Sequence, residues 1–429
     1  MVFISIDEVT PVVAAGGKLS ATINVVLEEE TFFKDIRVMF RGTSFTAMLV
    51  SNGSTTYQVS EHHIHVDRYF TLLPDNAGGT TLSAGRHTFP VTIWLPVYSD
   101  CKCLARVGEY PKFRFARSWN CVHSAAETGD FGRALLPPSL WASDNLKVGY
   151  RLAVLAERPG LFTLNKSKMI GVNVLPVAVI DEHVPNMDPL YIEERAVHSA
   201  KCDKLPETYF VNGALPKATG FRKVFSLSSK HSYVNVPMKF ELVLGNNATV
   251  RLNQKIPISI CTTIDVDDVS RIDGIVDARL VSLRLVIHSV TKGVAQQLAN
   301  SNTDRQTIYD LKGLNEPLVP VLKSEYQQVP KYQMEDHLFE DAVIPGSLSP
   351  DFKVMSLAHF HILKITVGMK FNGGSTKYTE LSHALNITSG LEYDVNEKSL
   401  LPPSYDPGNY CPANDNKSID DEKLDFFER

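Results

Sequence analysis

Apolar and polar residues alternate in short runs along most of the chain, and a period of two is the mark of half-buried strands. Leu19, Ala21, Ile23, Val25 and Leu27 share one face, with Ser20, Thr22 and Asn24 on the other. Ile36, Val38 and Phe40 alternate with Asp35, Arg37 and Arg41, and Gly42 closes the run. Residues 58–73 predict a further strand, stopped by Pro74 and Gly78-Gly79. His87, Phe89, Val91, Ile93 and Leu95 predict another, ended by Pro96. Val148, Tyr150, Leu152 and Val154 resume the pattern after residues 97–145, an interruption long enough to hold local structure or an accessory hairpin.

The second half repeats the style. Met238, Phe240, Leu242 and Leu244 alternate up to a turn at Gly245-Asn246-Asn247. Ile256, Ile258, Ile260 and Ile264 predict one strand, and Val281, Leu283, Leu285 and Ile287 another. Residues 304–344 are a polar excursion. Leu363, Ile365, Val367, Met369 and Phe371 then give the clearest alternation of all, and residues 385–387 close the second set. Between the halves, residues 181–220 are mixed and polar, with Pro185, Pro189, Pro206 and Pro216, and read as a linker. From Glu397 the pattern is lost, and residues 415–429 hold six acidic and three basic side chains, so the end reads as disordered. The expected fold is all-β: a sandwich over residues 1–180, a linker over 181–222, a second sandwich over 223–398 and an acidic tail over 399–429.

Composition agrees. At 429 residues the chain exceeds one ordinary core, and 44% hydrophobic with 21% charged residues suits a soluble protein. A net charge of −5 gives no basis for a nucleic-acid partner. Residues 1–7 do not open as a signal peptide, and the most apolar run, residues 170–180, is interrupted by Asn173 and Pro176 and too short to span a bilayer. Six unevenly spaced cysteines suit reduced thiols in the cytoplasm.

The chemistry with most content is Leu401-Pro402-Pro403-Ser404-Tyr405. Adjacent prolines preset a polyproline II rod that docks in aromatic grooves, and the Pro-Pro-x-Tyr spacing is what WW domains read. Weaker variants are Leu95-Pro96-Val97-Tyr98, expected to be partly buried, Asp188-Pro189-Leu190-Tyr191, and Val329-Pro330-Lys331-Tyr332, a secondary candidate in a polar loop. Leu136-Pro137-Pro138-Ser139-Leu140 lacks the tyrosine and should not bind. Cys101, Cys103, Cys121 and His123 offer four soft ligands, but Cys-x-Cys is tighter than usual zinc spacing, and free thiols are the preferred reading, with no metal. His62, His63 and His65 are read as surface histidines. Phe426 and Phe427 in the acidic tail could form a short docking peptide. No phosphate loop, nucleophile elbow or metalloprotease helix is present, so no catalytic residue and no cofactor are assigned.

Several strands then resemble a family. Ile36–Gly42 is similar to a "V-x-F-x-G" strand, residues 83–91 to a "G-x-x-x-F-P-F" strand, Leu136–Leu140 to a Leu-Pro-Pro loop and residues 148–152 to a "V-x-Y-x-L" strand, in the order found in arrestin-type N-terminal domains. Asp351-Phe352 and residues 359–371 are similar to the end of arrestin C-terminal domains. With Pro402, Pro403 and Tyr405 behind them, residues 1–405 resemble a fungal arrestin-related trafficking adaptor. The resemblance implies two arrestin-like sandwiches and a non-enzymatic adaptor. Its tail would recruit a WW-domain HECT-type ubiquitin ligase, and its lobes would select a transporter or receptor at the plasma membrane, endosomes or Golgi. Lys377 or Lys398 could themselves be modified. An arrestin-fold sorting scaffold acting without a ligase, similar to a retromer subunit, and a zinc enzyme built on the Cys101 loop are the alternatives.

Overall fold

The computed structural model describes residues 1–73, 79–100, 134–159, 165–180, 189–202, 232–264, 278–295, 298–318, 320–321, 331–371, 374–394 and 399–401. Among these the regular structure is β-strand, apart from single 3-10 turns. No helix of the described residues is long and apolar enough to cross a membrane.

The first lobe contains β1 (Val2–Asp7), β2 (Val12–Ala14), β3 (Lys18–Leu27), β4 (Thr31–Phe33), β5 (Asp35–Asn52) and β6 (Thr55–Thr71). It continues with β7 (Thr80–Leu82), β8 (Gly85–Trp94), β9 (Leu140–Ser143), β10 (Leu146–Glu157), β11 (Lys166–Leu175) and β12 (Ala178–Ile180). One sheet has the order β1-β3-β8 and the other β2-β11-β10-β5-β6, with β9 beside β10 and β4 paired to β7. The inward set of β3, read from the alternation, meets Ile36, Val38 and Phe40 of β5 and Leu152 and Val154 of β10 in one buried cluster.

Gly42 does not end its strand, as the sequence reading has it; β5 runs on to Asn52. Its role is spatial. A Cβ there would stand 2.2 Å from the Tyr150 ring, which stacks on Phe40 at 6.1 Å. The Tyr150 hydroxyl donates to the carbonyl of Pro137 at 2.6 Å, and burial holds its pKa well above the ordinary tyrosine value. Ser139 completes the corner: its N–H donates to Val174 O at 2.9 Å, and its hydroxyl accepts from Val174 N at 2.9 Å. The Leu136–Leu140 segment is therefore a brace of the core, with Leu136, Pro137 and Pro138 buried.

The second lobe contains β13 (Leu190–Cys202), β14 (Ser232–Leu244), β15 (Thr249–Arg251), β16 (Ile258–Ile264), β17 (Ala278–Ala295), β18 (Leu298–Pro317) and β19 (Pro320–Val321). It ends with β20 (Lys331–Gln333), β21 (Phe352–Lys353), β22 (Leu357–Phe371), β23 (Lys377–Thr388), β24 (Glu392–Asp394) and β25 (Ser399–Leu401). Strands β18-β17-β22-β23-β15 and β13-β14-β16-β20-β19 form two runs joined where Ala200 pairs with Phe371. Leu363, Ile365, Val367, Met369 and Phe371 are all at 0% exposure, as their alternation predicts. The turn at Gly245-Asn246-Asn247 is also present, with Asn246 and Asn247 at φ of 52° and 49°, a region asparagine tolerates.

Four expectations are corrected. Within the predicted linker over 181–222, Leu190–Cys202 is a strand paired with β14 along its whole length; residues 181–188 and 203–222 lie outside the described residues. The polar excursion over 304–344 holds most of β18, which pairs only with β17 among the described residues and is largely exposed, with Ile308, Tyr309, Leu311 and Leu314 half-buried against the core. Val281 is the extra residue of a bulge, and Leu280 takes the inward place. The tail expected from residue 399 begins with a strand, β25; residues 402–429 lie outside the described residues.

A Gly42→Ala variant should unfold more easily by about 1–3 kcal/mol, because the methyl must push a packed ring aside. Urea denaturation measures this, and an unchanged midpoint would show that Tyr150 has room to move.

Candidate docking tail and the seam that anchors it

The chain reaches Leu401 by crossing between the lobes. At the end of the first lobe β12 pairs in parallel with β24, and β24 pairs antiparallel with β25, setting Leu401 opposite Glu392. The Ser389 hydroxyl donates to Pro176 O at 2.6 Å and accepts from Leu391 N at 3.2 Å, while Ala178 N–H donates to Leu391 O at 2.8 Å. Arg251 forms an ion pair with Glu392. Tyr393 lies over Gly16, where an added Cβ would sit 3.0 Å from the ring. A glycine is doubly required there, since its φ is +74°.

Pro402, Pro403, Ser404 and Tyr405 follow Leu401 directly and lie outside the described residues, as do Val329 and Pro330. Tyr332 is described, and it is not on a polar loop. It sits on β20 opposite Thr262, only 6% exposed, and burial raises the pKa of its hydroxyl. A WW groove could take this ring only after the strand left the sheet. Val97, Leu95 and the half-buried Tyr98 fit the expectation of burial for that variant. Tyr191 is 73% exposed but stands on β13, a paired strand rather than a polyproline rod.

The seam itself is built by strands too long for one sandwich. β5 and β6 carry Ser44, Thr46, Glu61, His63 and His65 on a buried face. Gly293 of β17 meets this face so closely that a Cβ would stand 2.4 Å from Leu146 and 2.6 Å from Thr46. The Thr46 hydroxyl lies 3.3 Å from Ser356 O. Asn302 donates to Ala142 O at 2.6 Å, and Met48, Val59 and Ala295 make a small apolar cluster beyond.

His63 and His65 correct the surface reading, at 1% exposure each; His62 alone of the three is exposed. His65 sits in a β6 bulge and bonds Ser44 Oγ at 2.9 Å and Ser99 Oγ at 3.0 Å. Across the seam His359 Nδ1 bonds Thr291 Oγ1 at 2.8 Å and packs edge-on to His361 at 4.8 Å, and His361 pairs with Asp351. Burial first, and His361 second, push the His359 pKa down to about 3 against a contact with the Ser349 backbone. Burial raises Asp351, opposed by His361 and the Ile387 N–H.

No group of three or more metal-binding side chains occurs among the described residues, and Cys101, Cys103, Cys121 and His123 lie outside them, as do Phe426 and Phe427. A cleft of about 320 Å³ at the end of β18 has Leu318, Met334 and Leu338 in its walls with Glu316, Glu335 and Asp336. Compared with protein-family models and with curated proteins, the chain matches none.

Because folded His359 stays neutral while the unfolded side chain takes a proton near pH 6.5, its contribution to stability is present above that pH. It is lost as pH falls toward about 3. Asp351, with a raised pKa, works in the opposite sense. His359→Asn keeps a partner for Thr291 and removes the titration. Between pH 7 and 4.5 it should lose about 2–3 kcal/mol less stability than the parent, at ~1.4 kcal/mol per pH unit below the unfolded pKa. Parallel pH profiles from urea titrations would refute the assignment.

Proposed function

We propose that the chain is an arrestin-type adaptor that brings a WW-domain HECT ubiquitin ligase to a membrane-protein cargo. What carries the reading is the position of Pro402-Pro403-Ser404-Tyr405, next in sequence to the strand that returns the chain from both lobes. A ligand held this way leaves the lobes to select cargo and raises the ligase's effective concentration beside it. The all-β fold supports the reading in so far as it agrees with the two β-sandwiches that the resemblance implies. Fold alone does not assign it, since function rests on sites.

Tyr405→Ala removes the ring that fills the groove beside the prolines, a loss of about 2–3 kcal/mol of burial. Affinity for an isolated WW domain should fall roughly thirty- to hundredfold. Thermal stability should not change, and ubiquitination of the cargo should stop. Tyr332→Phe, which keeps the buried ring in β20, should bind as the parent does. If Tyr405→Ala retains full affinity, the chain is not a ligase adaptor through this motif, and a sorting scaffold that needs no ligase becomes the better reading.

A further inference from the structure

The register of β18, β17, β22 and β23 fixes which side chains turn away from the core of the second lobe. Leu283, Leu285, Ile287, Leu363 and Ile365 turn inward and are at 0% exposure. On the opposite face, Val290, which is buried, stands beside Phe360, His288 beside Ile362 and Val286 beside Lys364, the last five all half-buried. Cations surround it. Arg305 lies across from His288, Lys292 is one row above Val290, Arg284 one row below Val286, and Lys370 at the far end opposite Arg279. The Lys292 ammonium rests 5.2 Å from the centroid of the Phe360 ring.

Carboxylates on this face are fewer. Glu380 pairs with Lys364 at 2.6 Å, and Asp310 lies 3.0 Å from Lys312 and 3.9 Å from Arg284. Lys292, Arg305 and Lys370 have no carboxylate partner among the described residues. Since the whole chain carries −5, this excess of cations is a property of the face, not of the composition. The field is felt locally: burial first, then Lys364 and Arg305, hold the His288 pKa below its ordinary value, against Glu380.

We propose that this face of the β18-β17-β22-β23 sheet is a contact surface for an anionic membrane, with lipid headgroups meeting its cations and Phe360 and Ile362 facing the interface. A broad anionic plane fits better than an acidic peptide. From the row of Lys292 to that of Lys370 the sheet extends twelve residues along β22, about 40 Å at ~3.3 Å per residue, and across several strands. One short peptide covers a single groove, whereas a bilayer surface offers anionic groups to cations spread over several strands. The inference goes beyond the adaptor reading and does not depend on the tail motif.

The full chain should co-sediment with phosphatidylcholine vesicles containing about 30 mol % phosphatidylserine and not with phosphatidylcholine alone, and added salt should release it. Each cation near such a surface is worth roughly a fivefold change in binding. Lys292→Gln with Arg305→Gln should therefore weaken it about 25-fold without a change in melting temperature. Lys18→Gln, on the exposed side of β3 in the first lobe, should bind as the parent does, and so should Tyr405→Ala, which separates this test from that of the ligase motif. Equal binding to both vesicle types, or undiminished binding of the double variant, overturns the proposal. Capture by polyglutamate with no binding to vesicles also overturns it, in favour of an acidic peptide partner.

Discussion

The arrangement of the two lobes depends on one close approach, that of Gly293 to Thr46 and Leu146. Only a residue without a side chain lets β17 come that near to β5 and β10. The long strands explain why such contact is needed. β5, β6, β17 and β22 each outrun their own sandwich, and their surplus lengths would expose a wet-backed face if the other lobe were absent. The surplus faces are mixed rather than apolar. Ser44, Thr46, Glu61, His63 and His65 are buried on β5 and β6, and Thr291, His359 and His361 are buried on β17 and β22 of the second lobe. Buried polar groups cost little only when paired, and the hydrogen bonds that cross the seam, Thr46 to Ser356 O and Asn302 to Ala142 O, meet that cost for the groups they join.

That composition also explains what could be read in the sequence. β3, β10 and β22 were legible because one face is apolar and the other wet. The second half of β5 was not, since its buried face is polar and gains its cover from a lobe 253 residues away in sequence, where Asn300 lies 3.5 Å from Ala47 O. His63 and His65 looked like surface residues for the same reason. β18 was hidden because an edge strand can be polar on both faces without penalty. Gly42 reads as a stop in the sequence, glycine being the usual breaker, whereas in the fold it makes room for a ring.

At the candidate site the contrast is sharper. Pro-Pro-Ser-Tyr is a local pattern whose chemistry rests on four consecutive residues, so it needs no fold to be recognised. Its anchor is the reverse case. β12, β24 and β25 are three residues each, too short for any periodicity, and gain their order from pairing with one another. In the weaker copy, Tyr332 is turned inward by a pairing with β16 that the sequence did not display.

The same three short strands decide how the tail relates to the lobes. β12 leaves the first lobe and β24 the second, so their parallel pairing is a strap across the seam, reinforced by Ser389 on Pro176 and by Tyr393 on Gly16. Polar seams resemble transient interfaces, because separation returns their groups to water at small cost. The strap is different: its backbone bonds must bend or break before the lobes can part. Leu401 is paired to β24 and so moves with the strap rather than with either lobe alone.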